Sequence, residues 1–374
     1  MASLIKRGGT GVLTEERREA ILRMVEDRGS VTVKEAAAEM GVSAVTVRQD
    51  VRDLANRGLV VRVHGGAMSP AAAGQGAAPG SGAARSAPRQ GPSFGLVVPP
   101  GDYYYPEIVR GVQEAARKQG VRVVLAVSGE TLDEIREQAR RLVAAGADGL
   151  LLMPRAGIEP AEDVERWLAG LDTPAVLVDR RAGGDAGRLE QVASDHAHGA
   201  GLAVRHLAGL GHGRIALIAR VESPNTVLIR EGYAAACREL GLEAGPEYRI
   251  EGAEGPTVTG WFEELVRAVE AGDVGAALVH NDLDAVTLVG LLQARGLRVP
   301  DDLAIVTYDD EVAELSDVPL TAVAPPKRAV GAWAVELLRR RLADPAAPLA
   351  ELLLRPELRV RASSGARVGP DTPS

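Results

Sequence analysis

The chain has 374 residues, 46% apolar and 25% charged, enough for two or three domains with a substantial core. One cysteine, Cys237, excludes an internal disulfide framework. No apolar run is long enough to cross a bilayer or to act as a secretory h-region, so a cytoplasmic protein with no membrane partner is expected. Residues 1–93 carry 13 Lys+Arg against 9 Asp+Glu and the remainder 30 against 42, which allows polyanion binding at one end only.

In chain order, "TEERREAILRMVEDRG" places Ile21, Leu22 and Val25 on one face of a first helix capped by Thr14. "VTVKEAAAEMGVSAVTVRQDVRDLANRG" reads as two helices joined at Gly41-Val42, where Gly41 can take the positive φ of a tight turn. Ser43 caps the next helix, and Val47, Val51 and Leu54 form its inner stripe. Its opposite face presents Ser43, Thr46, Arg48, Gln49 and Arg52, hydroxyl, amide and guanidinium groups suited to phosphates and base edges. Asp50 and Asp53 would repel phosphate and are expected on the flanks. "LVVRVHGGA" then reads as a strand, a Gly-Gly turn and the start of a return strand. A three-helix bundle serving protein contacts is the alternative.

"VSAVTVRQDVRDLANRGLVVRVHGGA" resembles the DeoR-type winged helix-turn-helix, over about residues 14–67. The resemblance implies operator DNA as a partner, with Ser43, Thr46, Arg48 and Gln49 at the groove and Arg62 and His64 in the wing. Gln49 stands where that family usually has Arg.

Residues 68–93 hold no aromatic or β-branched side chain and read as a disordered Ala/Gly/Pro/Ser linker of 26 residues, about 28 Å in root-mean-square span. The expected division is therefore 1–67, 68–93 and 94–374. The last part alternates apolar runs ("FGLVVP", "VRVVLAV", "GLLLMP", "PAVLVD", "RIALIA", "AALVH", "LAIVTY") with amphipathic stretches, an α/β pattern of parallel sheets covered on both faces. Ligands of such sheets lie at the strand C-termini, where Tyr103–Tyr105, Asp179-Arg180, Asn281-Asp282 and Asp309-Asp310 fall. The tyrosines could stack on a ligand or simply pack; Asp282 could bind a ligand or cap the following helix.

The ordered segments "FGLVVPPGDYYYPEIVRGVQEAARKQG", "ADGLLLMP", "PAVLVDRR", "HLAGLGHGRIALI", "IREGYAAACRELGL", "VHNDLDAV", "VPDDLAIVTYDD" and "PLTAV" resemble the core domain of LacI/GalR-type repressors, which is similar to periplasmic sugar-binding proteins. The resemblance covers residues 94 to about 362 and implies two lobes joined by three crossings. One lobe is expected over 94–195 with a return near 321–345, the other over 196–320 with the C-terminal strand. It implies an effector site of Tyr104, Tyr105, Arg180, Asp195, Arg230, Asn281 and Asp309, and a homodimer. Thr307 replaces a glycine usual in that family, which would narrow the cleft.

Chemistry is not expected. "GLGHGR" follows a helix and precedes a strand, the reverse of a dinucleotide fingerprint. His196, His198, His206 and His212 lack metal-ligand spacing, and the carboxylates lack a nucleophile–base arrangement, so no metal, cofactor or catalytic residue is assigned. The sequence thus reads as a DNA-binding repressor controlled by a small polar effector, a sugar. The rival is a solute-binding protein of an uptake system, or a sugar-metabolising enzyme, with an accessory head.

Overall fold

The computed structural model describes residues 14–28, 30–40, 42, 46–47, 50–51, 54, 61–63, 66–68, 91–101, 103–129, 131–154, 161–181, 189–221, 223–251 and 260–366. Most of the expected linker lies outside the described residues, as do Ser43, Arg48, Gln49, Arg52, Asp53, His64 and the side chain of Arg62. The chain divides into two compact units, Met1–Ala87 and Pro88–Ser374. No helix among the described residues is long and apolar enough to cross a membrane.

In the first unit, α1 (Thr14–Arg28) is followed by β1 (Ser30–Thr32) and α2 (Val33–Met40). Thr32 starts α2 with a reciprocal cap: its Oγ1 accepts from the Glu35 amide at 3.2 Å, while the Glu35 carboxylate accepts from the Thr32 amide at 3.0 Å. Thr46, Val47, Asp50, Val51 and Leu54 are helical, and Val47, Val51 and Leu54 are buried with Ile21, Val25, Val31 and Ala36. The expected inner stripe is therefore the core of this unit. β2 (Val61–Val63) and β3 (Gly66–Met68) pair antiparallel, and β3 also pairs with β1. Gly66 belongs to the return strand, so residues 64 and 65 separate the strands and not the two glycines.

The second unit holds two six-stranded sheets. Lobe one contains β4 (Ser93–Val98), β5 (Arg122–Val127), β6 (Gly149–Leu152), β7 (Ala175–Val178) and β8 (Glu190–Ser194). Lobe two contains β9 (Arg214–Arg220), β10 (Glu243–Ile250), β11 (Ala276–His280), β12 (Ala304–Tyr308) and β13 (Thr321–Ala324). Two late strands are exchanged: β14 (Glu351–Leu354) returns beside β8, and β15 (Glu357–Arg359) closes lobe two antiparallel to β13. The strand orders are β14-β8-β7-β6-β4-β5 and β10-β9-β11-β12-β13-β15. Apart from β13–β15 every pairing is parallel, so the ends that carry side chains toward a ligand all face one way in each sheet.

Helices cover both faces. Lobe one carries α3 (Tyr105–Lys118), α4 (Leu132–Ala144), α5 (Ala161–Ala169) and, after the chain returns, α10 (Lys327–Ala343). Lobe two carries α6 (His196–Gly209), α7 (Thr226–Leu240), α8 (Gly260–Glu270) and α9 (Asp282–Ala294). Each sheet has an apolar core on either face. A Cβ at Gly111 on α3 would overlap the Arg328 carbonyl of α10, so glycine allows these two helices to touch backbone to backbone.

The three crossings run through Asp195, Pro325-Pro326 and Arg355-Pro356. The second falls later than the sequence suggests: residues 321–324 form β13 of lobe two, and the chain enters lobe one only at α10. β8 escapes the apolar pattern because its Glu190 and Gln191 are buried yet polar. Glu190 is satisfied by Arg341 at 2.8 Å and by the Ala350 amide at 3.1 Å, which removes the cost of burying an unpaired charge.

Candidate functional site

In the first unit, Asp50 lies on the helix expected to read DNA but points inward. It is 1% exposed, and Arg17 of α1 donates to its carboxylate through Nε at 2.5 Å and Nη2 at 3.2 Å. Arg18 Nε lies 3.4 Å away. The expectation that Asp50 sits on a flank is corrected: the negative charge is buried and neutralised, and it ties that helix to α1. Thr46, on the same helix, is half-buried.

The second unit has a cleft of about 320 Å³ at the strand C-termini, with walls from both lobes. Lobe one supplies the turn after β4, with Pro99, Pro100 and the three tyrosines, and Arg180 after β7. Tyr104 and Tyr105 meet edge to face with centroids 5.7 Å apart. Arg180 is buried and fixed by carbonyls and a phenol: Nε donates to Pro154 O at 2.8 Å, Nη1 to Asp179 O at 2.5 Å, and Nη2 to Tyr105 Oη at 2.8 Å. It therefore braces the aromatic wall.

Lobe two supplies Arg220 at the end of β9, Asn225 before α7, His280 at the end of β11, Asn281 after it, and Asp309 after β12. Arg220 pairs bidentately with Asp284 of α9, both contacts at 2.7 Å. Asn281 is the N-cap of α9, its Oδ1 accepting from the Asp284 amide at 3.3 Å. Asp282 is therefore not the cap. It is fully buried, and its Oδ2 accepts the amides of Glu311, Val312 and Ala313 at 2.6, 2.7 and 3.1 Å, which shapes the loop after β12.

Asp309 is the most perturbed carboxyl in the cleft wall. Its backbone has φ +88°, a conformation uncommon for a residue with a side chain and often kept where function needs it. It is 4% exposed, and its Oδ1 has no hydrogen-bond partner among the described residues. Burial, reinforced by Asp282, Asp179 and Glu311 and opposed by Lys327, pushes its pKa up to about 7. A buried acceptor without a donor is ready for a ligand hydroxyl. The adjacent Asp310 turns away and pairs with Arg359 at 2.6 Å and Arg361 at 2.7 Å.

Of the expected effector residues, Tyr104, Tyr105, Arg180, Asn281 and Asp309 converge on this cleft. Asp195 does not line it; as the cap of α6 it accepts from the His198 amide at 3.0 Å. Arg230 does not line it either. It lies a turn into α7 and pairs on a partly exposed face with Glu247 of β10 at 2.6 Å. Thr307 does not narrow the cleft: it is buried inside β12, with Oγ1 donating to Val279 O at 3.1 Å. The residues missed are Arg220 and His280; Tyr103, marked with its neighbours by its place after β4 but outside the expected effector set, also lines the cleft. Arg220 ends β9, directly after the apolar run "RIALIA", so the same strand-end rule marks it. Among the described residues no group of three or more His, Cys, Asp or Glu could hold a metal ion; His206, for example, is engaged by Ser364 Oγ at 2.9 Å.

A profile of the DeoR-like helix-turn-helix domain matches residues 17–72, and one of the periplasmic binding protein-like domain matches residues 204–364. The arabinose metabolism transcriptional repressor of Geobacillus stearothermophilus is 27% identical, over 91% of this chain and 93% of its own length. This chain is a transcriptional regulator that joins a DeoR-like helix-turn-helix head to a periplasmic binding protein-like domain. The regulator also superposes on the transcriptional regulator CelR, solved with cellobiose, with a TM-score of 0.60 and 27% identity, covering 89% of this chain and 99% of CelR. The lac repressor dimer bound to operator gives a TM-score of 0.62 over 74% of the regulator and 95% of that chain; at 23% identity it speaks for the fold alone.

Proposed function

We propose that the regulator is a repressor that binds an operator through its head and a carbohydrate in the cleft between its lobes. The observation that carries the effector reading is Asp309 Oδ1, a buried acceptor without a partner, beside Asn281 and across from the Tyr104–Tyr105 wall. Rings stack on the apolar face of a sugar while carboxylate and amide groups take its hydroxyls. The proposed effector set is Tyr104, Tyr105, Arg180, Asn281, Asp309 and Arg220. Asp195 and Arg230 are left out on the positions described above. The volume is at the lower end for small-molecule sites, which favours a compact sugar.

For the head, Ser43, Thr46, Arg48, Gln49 and Arg52 at the groove, with Arg62 and His64 in the wing, remain the proposed DNA contacts. A two-fold operator calls for a homodimer, and the reading places the protein in the cytoplasm, with residues 68–93 as the link between head and body. The similarity to the arabinose metabolism transcriptional repressor supports the DNA-binding part of this reading.

A thermal-shift screen of the full chain against a carbohydrate panel tests the effector half: at least one sugar should raise Tm in proportion to the logarithm of its concentration, and a flat panel would defeat it. Arg48→Ala tests the DNA half. Enrichment of genomic fragments near the protein's own gene should disappear while the sugar-induced shift persists.

A further inference from the structure

Tyr103 belongs to lobe one, yet its phenol donates to Asp282 Oδ1 and lies 3.5 Å from Asp309 Oδ2, both on lobe two. The other oxygen of Asp282 is already occupied by three backbone amides. Oδ1 is thus the oxygen that those amides leave unoccupied, and the phenol takes it. Burial among Asp309, Asp282 and Glu311 keeps the phenol protonated, far above its ordinary pKa, so it is always the donor. A hydrogen bond to a buried carboxylate is about twice as strong as a neutral one, and separating the lobes would break this one.

We propose that Tyr103 is an inter-lobe latch, a positioning residue that holds the two lobes together without help from an effector. The proposal rests on the effector reading above for its consequence, but not for its test. If binding requires the closed form, apparent Kd is the intrinsic Kd divided by the closed fraction. The latch therefore tightens every effector by one common factor. It also lowers the population shift that any effector can produce, because part of the protein is closed beforehand.

The experiment uses the full chain without effector, in a Cys237→Ser background spin-labelled at Arg181→Cys on lobe one and Val227→Cys on lobe two. Tyr103→Phe, which keeps the ring and removes the donor, should move the inter-label distance distribution to longer or broader values. Tyr103→Leu should do the same. Distributions superimposable on that of the parent in both variants would overturn the latch. With sugars that bind the parent, Tyr103→Phe should weaken each by the same ~3- to 10-fold factor. A factor that differs from sugar to sugar would place Tyr103 in direct ligand contact and overturn the claim that it acts on affinity through closure alone. Failure of every sugar to bind would count against the effector reading, while the ligand-free distances decide the latch by themselves.

Discussion

The two lobes share a six-stranded sheet with helices on both faces, yet they meet the cleft with opposite chemistry. In lobe one the cation, Arg180, is held by carbonyls and a phenol, and it braces a wall of rings. In lobe two the cation, Arg220, is held by a carboxylate, and the wall ends in the side-chain amide of Asn281, whose Oδ1 already accepts from Asp284, and the open oxygen of Asp309. One wall stacks and the other offers hydrogen-bonding groups. Under the proposed effector reading, this difference between lobes that topology alone would make alike orients the ligand.

Arg220→Met should test that difference most severely. It leaves Asp284, 2% exposed, as an uncompensated buried charge, and should cost about 3–5 kcal/mol of stability, seen as a lowered urea midpoint. Arg180→Met also deprives a buried carboxylate, Asp179, of its cation, but that contact is a single one of 3.4 Å and not a bidentate pair, so the variant should cost less. Equal losses would erase the contrast.

Asp309→Ala should come next. It should weaken sugar binding by about 1–3 kcal/mol in a titration, with little change in operator affinity measured without sugar. Unchanged sugar affinity would remove Asp309 from the site.

Acid should act mainly through lobe two. Burial lowers His196 to about 3 and His280 to about 4, while the unfolded chain protonates both near 6.5. Native stability from these histidines is present above 6.5 and lost as pH falls toward 4. Asp309 runs the other way: with its native pKa raised to about 7, its contribution is present below the unfolded value of 3.8 and lost as pH rises through 7. His206 and His212, also lowered by burial, act with these two, and Asp179, also raised by burial, acts with Asp309; four histidines oppose two carboxyls, so the urea midpoint should fall between pH 6.5 and 4. A His196→Gln, His280→Gln variant should show a shallower fall, and an unchanged slope would contradict the assignment.

Arg230→Ala should do least. Its pair with Glu247 is about one-third exposed on both sides, so stability should change by no more than about 0.5 kcal/mol and sugar affinity not at all.

Much of this was legible beforehand, because strand ends are where a parallel sheet delivers side chains to a ligand. That rule marked Tyr103–Tyr105, Asp179-Arg180, Asn281-Asp282 and Asp309-Asp310 from apolar runs, and the resemblance to LacI/GalR-type repressors picked Tyr104, Arg180, Asn281 and Asp309 among them. The rule does not place Arg230, since a helix carries successive side chains around its axis and one turn suffices to leave the cleft. Nor does it reveal β8, whose buried Glu190 depends on Arg341, 151 positions later.

By itself, the sequence determined the two-unit organisation, the inner stripe of the head, and the parallel α/β class, because these follow from local periodicity and composition. Tertiary structure alone decided which carboxylates are satisfied and which stay open. Asp50, Asp282 and Asp310 are occupied by partners from other elements, whereas Asp309 keeps a free oxygen in the cleft. Aspartates are chemically identical in a sequence; distant backbone amides and guanidinium groups set their separate roles, and only folding brings those to them.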